Sequence, residues 1–141
     1  NLIAAYHKRL FCGDLAVEYR YAQAWSSWEN ALASVSYVGG GGSTPRDYAR
    51  AFSRIESHYF INSGFLEFDG QIMHHMYRIS HIPGIIVQGR YDMICPPQRA
   101  WELAQVWPVG EIKMIRDAGH ALSEPGISEV LVQAMDEFAA R

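Results

Sequence analysis

Residues 83–123 read PGIIVQGRYDMICPPQRAWELAQVWPVGEIKMIRDAGHALS. Two short apolar runs stand in this stretch, Ile85-Ile86-Val87 and Ile112-Lys113-Met114-Ile115. The first is closed by Gly89-Arg90-Tyr91-Asp92 and the second by Asp117-Ala118-Gly119-His120. Between them Gln98 to Trp107 has a helical pattern, opened by Pro96-Pro97 and closed by Pro108-Val109-Gly110. The spacing predicts a strand–helix–strand unit. Parallel strands joined by a right-handed crossover bring both carboxyl ends to one sheet edge. Asp92 and His120, 28 positions apart, then stand at neighbouring strand tips. Taken singly, such an aspartate reads as a turn residue and such a histidine as a surface residue. Taken together, an acid and then a histidine on successive strand-tip loops read as two members of a catalytic triad. The aspartate would fix the tautomer and stabilise the imidazolium formed in acyl transfer.

Composition narrows the partners. A chain of 141 residues that is 49% apolar and 19% charged has enough apolar content for a core and too little charge for disorder. A net charge of −3 supplies no basic field, so no nucleic-acid partner is expected. The apolar runs are too short to cross a bilayer, so no membrane partner is expected either. Cys12 and Cys95 do not make a disulfide framework, and no signal peptide is visible, which makes the cytoplasm the default location. No metal is expected, because H-E-x-x-H and C-x-x-C are missing and the adjacent His74-His75 would point different ways on a helix. No cofactor is expected.

The chain before the opening stretch reads as helical. Leu2, Ile3, Tyr6 and Leu10 have helical spacing, and Asp14 suits the N-cap of a second helix running from Leu15 to about Ser34. On that helix Trp25, Trp28 and Glu29 lie at i, i+3 and i+4 and share a face. Glu29 then reads either as the solvated border of an amphipathic helix or as an acid set among indoles. The run Gly39–Gly42 suits a surface loop or a designed junction. Gly41-Gly42-Ser43-Thr44-Pro45 imitates a G-x-S-x-G nucleophile elbow, but Pro45 replaces the last glycine. Ser43 or Thr44 is instead expected as N-cap, with Pro45 as the first residue of a third helix reaching Asn62. Its apolar face is predicted from Tyr48, Ala51, Phe52, Ile55, Tyr59 and Phe60, with Glu56 beside it as a surface partner and Phe60 as ordinary core. A short helix is expected from Gln71 to Ile79, and a last amphipathic helix carries Ile127, Val130, Leu131, Met135 and Phe138.

At this point a resemblance becomes specific. The runs AAYHKRL, AWSSWE, ARAFSRIESHYF, HIPGIIVQGRYDMICP, AWELAQVWP and AGHALSEPGI, spread over residues 4 to 127, resemble the C-terminal half of the prolyl aminopeptidases (proline iminopeptidases) of the α/β-hydrolase superfamily. The resemblance implies an α/β fold: a helical cap over 1–66, then the last parallel strands and helices of an α/β-hydrolase core over 67–141. It implies a serine exopeptidase that releases N-terminal proline from peptides, with Asp92 as the triad acid and His120 as the general base. Glu29 and Glu56 would hold the free α-amino group of the substrate, and Phe60 would line the proline pocket. Cys95 resembles a cysteine near that pocket; its other reading is a small buried hydrophobe.

The nucleophile elbow and oxyanion loop of that family have no counterpart here. The chain opens at Asn1 within a helical pattern and without methionine, so a fragment, a partial gene product or one piece of an enzyme is expected. Alone it should not turn over substrate. The implied partners are peptides with N-terminal proline and the missing N-terminal half of the same enzyme. The competing readings are another α/β-hydrolase (esterase, amidase or epoxide hydrolase) and a non-catalytic truncated interaction fragment.

Overall fold

The strand–helix–strand expectation is met in the computed structural model, which describes residues 1–35 and 44–140. In chain order the elements are α1 (Leu2–Leu10), α2 (Leu15–Ala33), α3 (Arg46–Ile61), α4 (Gln71–His74), β1 (Gly84–Gly89), α5 (Pro97–Gln105), β2 (Gly110–Ile115) and α6 (Pro125–Ala139). Short 3₁₀ turns lie at Ser63–Phe65 and Met76–Arg78. The helix expected from Gln71 to Ile79 is thus one α-turn followed by a 3₁₀ turn, with His75 between them. By contacts the chain divides into Asn1–Ala31 with Val38–Asp69, and Leu32–Tyr37 with Gly70–Arg141. Helices and a small parallel sheet make a mixed α and β protein.

In the first unit the caps follow from side-chain chemistry. Asn1 Oδ1 accepts from the Ile3 N–H at 3.0 Å, and Asp14 Oδ1 accepts from Ala16 and Val17 at 2.9 and 3.3 Å. The start of α3 departs from expectation. Pro45, not Ser43 or Thr44, occupies the cap position, and its carbonyl accepts the Ala49 N–H at 2.9 Å. Thr44 is engaged elsewhere: its carbonyl accepts from Gln23 Nε2 at 2.7 Å and its hydroxyl from Asn30 Nδ2 at 3.1 Å. Ser43, and with it the imitation elbow and the glycine run, lies outside the described residues.

Leu10, Ala22, Trp25 and Ala49 form the core of this unit, with Tyr6, Tyr21 and Phe52 packed on it. The buried line along α3 is Ala49, Ser53 and Ser57, at i, i+4 and i+8. This corrects the predicted face: Tyr48, Ile55, Tyr59 and Phe60 are exposed. Small side chains win the inner position because they let α1 approach α3 closely, and the Ser57 hydroxyl contacts His7 Nδ1 at 3.3 Å. Glu18, 2% exposed, joins α2 to α3 by accepting from Arg50 Nε at 2.6 Å and Arg54 Nη1 at 3.1 Å. Burial pushes this carboxyl up. The Gly13 N–H and the two guanidinium groups outweigh burial and hold it below its ordinary value.

In the second unit β1 and β2 pair in parallel from Gly84↔Gly110 to Gly89↔Ile115. Both α5 and α6 pack on this sheet. The indole of Trp107 fills the start of the ladder, so a Cβ at Gly84 or Gly110 would meet the ring at 2.2 or 2.6 Å. Trp107 Nε1 also donates to the Ile82 carbonyl at 2.9 Å, fixing the entry to β1. On α6 the buried residues are Ile127 and Ala134, while Met135, predicted on the inner face, is exposed.

Candidate active site

The carboxyl end of β1 continues into a turn that aims one side chain. The N–H of Arg90 donates to the Ile115 carbonyl and that of Tyr91 to the Ala118 carbonyl, each at 2.9 Å, so the loops after both strands are stitched together. At Gly89 a Cβ would lie 1.9 Å from the Gly119 carbonyl oxygen, which only glycine permits. Asp92 follows, 6% exposed, with its two oxygens assigned to different partners. Oδ1 accepts the N–H groups of Ile94 and Cys95 at 3.0 and 2.7 Å. Oδ2 lies 2.9 Å from His120 Nδ1 and accepts from Gln88 Nε2 at 3.2 Å.

This arrangement has a direct chemical consequence. An Nδ1–H that donates to a buried carboxylate leaves the Nε2 lone pair free to take a proton, and the carboxylate then offsets the imidazolium charge. The His120 side chain is 41% exposed, whereas Asp92 behind it is buried. Four donors surround the Asp92 carboxyl group, two on each oxygen, and fix its orientation.

Gln88 is a member of the site that the sequence reading passed over. Its amide also donates to the carbonyls of Gly89 and Cys95, each at 3.1 Å, tying the end of β1 to the loop that carries Asp92. The available signal was a lone polar residue closing the apolar run GIIVQG. Cys95 contributes backbone to this network and its residue is exposed, which removes the small-buried-hydrophobe reading.

The first unit gathers the other candidates along α2 and α3. Glu29 is 8% exposed, so it is not the solvated border of its helix, whereas Trp28 beside it is exposed. Trp25, one turn before Glu29, donates its indole N–H to Glu56 Oε2 at 2.7 Å. Phe60, one turn after Glu56, stacks on Trp25 with ring centroids 6.1 Å apart and an interplanar angle of 27°. Phe60 is 49% exposed, so it is not ordinary core. Two carboxylates and two aromatic rings on adjoining stripes suit a small cation with an apolar flank. Sequence spacing linked Trp25 with Glu29 but not with Glu56, because that pairing crosses from one helix to another. Among the described residues no group of three or more histidine, cysteine, aspartate or glutamate side chains is placed to hold a metal. No helix among them is long and apolar enough to cross a membrane.

Comparison with known proteins extends the resemblance across the chain. A proline iminopeptidase of Arabidopsis thaliana is 43% identical over 142 residues, covering 99% of this chain and 37% of that protein. One of Xylella fastidiosa is 45% identical over 141 residues, covering 98% of this chain and 45% of that protein. One of Neisseria gonorrhoeae is 39% identical over 141 residues, covering all of this chain and 44% of that protein. The chain therefore spans less than half the length of these relatives, and its similarity to them runs nearly from end to end. No family model matches the chain.

Proposed function

We propose that the protein carrying this chain is a serine exopeptidase of the α/β-hydrolase fold that releases N-terminal proline from peptides. The observation that carries the reading is the hydrogen bond between buried Asp92 Oδ2 and His120 Nδ1, at the tips of two paired parallel strands. Similarity to proline iminopeptidases, at 39–45% identity, supports the choice of substrate. The residues over 1–66 act as a cap, and those over 67–141 belong to the hydrolase core.

In this reading His120 Nε2 takes the proton of a serine hydroxyl as the oxygen attacks the prolyl carbonyl. The imidazolium, balanced by Asp92, returns that proton to the departing peptide amine as the C–N bond breaks. A water molecule then repeats the sequence on the prolyl ester, releasing proline and restoring the serine. The serine is assigned to a segment outside this sequence, so that segment is the partner this chain requires. Glu29 and Glu56 hold the substrate ammonium, and Phe60 lines the wall for the pyrrolidine ring. A pocket role for Cys95 accompanies them.

The test is the complete polypeptide assayed on a prolyl-arylamide and on the same compound blocked at its amine. Cleavage of the free amine alone is expected. Equal cleavage of both would move the protein to the esterase and amidase class, and no cleavage of either would leave a non-catalytic partner-binding role.

A further inference from the structure

Glu124 immediately precedes α6, yet its carboxylate makes no cap for that helix. It is 9% exposed and turns instead toward the loop after β2 and the end of α2. Oε2 accepts the Gly119 N–H at 2.6 Å, while Oε1 accepts the Ser34 hydroxyl at 2.6 Å and the Val35 N–H at 2.8 Å. Beside it the Ala33 carbonyl accepts both the His120 N–H at 2.8 Å and the Ala121 N–H at 2.7 Å. The amide groups of residues 119, 120 and 121 are thus all bound, one by Glu124 and two by Ala33. Gly119 fits here because even a Cβ would stand 3.0 Å from the Ala33 oxygen.

Burial pushes the Glu124 carboxyl up, but the Ser34 hydroxyl and the Gly119 and Val35 N–H groups outweigh it and hold the group below its ordinary value. An enclosed carboxylate that stays ionised through three short bonds is a rigid anchor. It grips the backbone one residue before His120, and the Ala33 carbonyl grips His120 itself and the residue after. Those bonds set the direction of the His120 Cα–Cβ bond, and through it where the imidazole lies relative to Asp92.

We propose that Glu124 is a positioning residue for His120: with the Ala33 carbonyl it locks the 119–121 backbone so that Nδ1 meets Asp92 Oδ2 and Nε2 is held at a fixed angle for proton transfer. The role rests on the acid–base reading of Asp92 and His120 given above. Its mark in the sequence is the spacing Gly119-His120-Ala121-Leu122-Ser123-Glu124.

The complete polypeptide carrying Glu124→Gln tests this, with Asp92→Asn and His120→Gln as references. Glutamine keeps the length but sets an NH₂ among groups that donate. With a prolyl-arylamide, kcat is expected to fall about 10²-fold, the loss that follows when a reacting group is misplaced by roughly an ångström, with KM changed less than about twofold. The downfield proton resonance of the His120–Asp92 hydrogen bond, identified by its loss in the two reference variants, is expected to shift or broaden. If Glu124→Gln does not fold, Glu124→Asp keeps the charge but is one methylene too short to bridge Gly119 and Ser34, and the same changes are expected. Unchanged kcat and resonance in a folded variant overturn the proposal. So does a loss of activity that only tracks the folded fraction while the resonance stays in place. Full turnover in Asp92→Asn and His120→Gln would instead defeat the underlying acid–base reading.

Discussion

The indole N–H of Trp25 on α2 donates to Oε2 of Glu56 on α3 at 2.7 Å, and the same indole stacks on Phe60. One carboxylate oxygen is therefore committed to the protein, and its direction is set by a ring that also shapes the wall beside it. Trp25→Phe would keep most of the packing and remove the donor. Loss of a hydrogen bond to a partly exposed charged acceptor is expected to cost about 1–2 kcal/mol in stability. In the complete protein KM for a prolyl-arylamide should rise more than kcat falls. Urea denaturation and steady-state kinetics on the same variant check both.

Glu29 and Glu56 are expected to act through charge. Glu29→Gln or Glu56→Gln should lower kcat/KM for a free N-terminal proline by about 10²-fold, the equivalent of about 3 kcal/mol for an under-compensated ammonium. Steady-state cleavage of a prolyl-arylamide is the measurement, and wild-type kcat/KM in both variants would remove the amine-binding assignment.

Asp92→Asn keeps the shape of the β1 tip but favours the wrong imidazole tautomer. Turnover by the complete protein is expected to fall by about 10⁴-fold, as loss of the acid does in Ser-His-Asp triads, with little change in KM. Single-turnover acylation kinetics would place the loss in the proton-transfer step.

Gly89→Ala would drive a Cβ into the Gly119 carbonyl, a backbone atom that can yield only if the two strand-tip loops separate. Overpacking of this kind is expected to cost about 3 kcal/mol. The same movement pulls His120 from Asp92, so activity should fall even in the folded fraction. Comparing denaturation midpoints with the activity of folded protein separates the two effects.

Glu18 makes the first unit sensitive to acid. Its carboxyl is held below the ordinary 4.5 in the folded chain, so the ionised form favours folding. That contribution is complete above the unfolded value and is lost as pH falls through the lower folded value. Denaturant midpoints should therefore drop as pH is lowered past about 4.5. Glu18→Gln should flatten that part of the profile and cost about 2 kcal/mol at neutral pH, because Arg50 and Arg54 lose their shared counter-charge.

The elements that were legible in the sequence are those whose ends are written in local chemistry. Asp14 caps α2 through its own side chain, proline opens α5 and α6, and glycine brackets β1. The face of α3 was misread because periodicity ranks residues by hydrophobicity, whereas close helix packing selected Ala49, Ser53 and Ser57 for size. Pro45 was placed one position too far into its helix because Thr44 had partners on α2 that no local pattern reveals.

By itself the sequence determined the order of helices and strands and the pairing of Asp92 with His120 at successive strand tips. Both follow from short-range rules: backbone preferences of neighbouring residues and the common edge of parallel strands. Only the tertiary structure decided which groups hold that pair and its companions. Trp25 at Glu56, and Glu124 with Ala33 around His120, are chosen by where separate elements come together. Those partnerships span as many as 90 positions, as between Ser34 and Glu124, and hydrogen-bond geometry at that range exists only once the chain has folded.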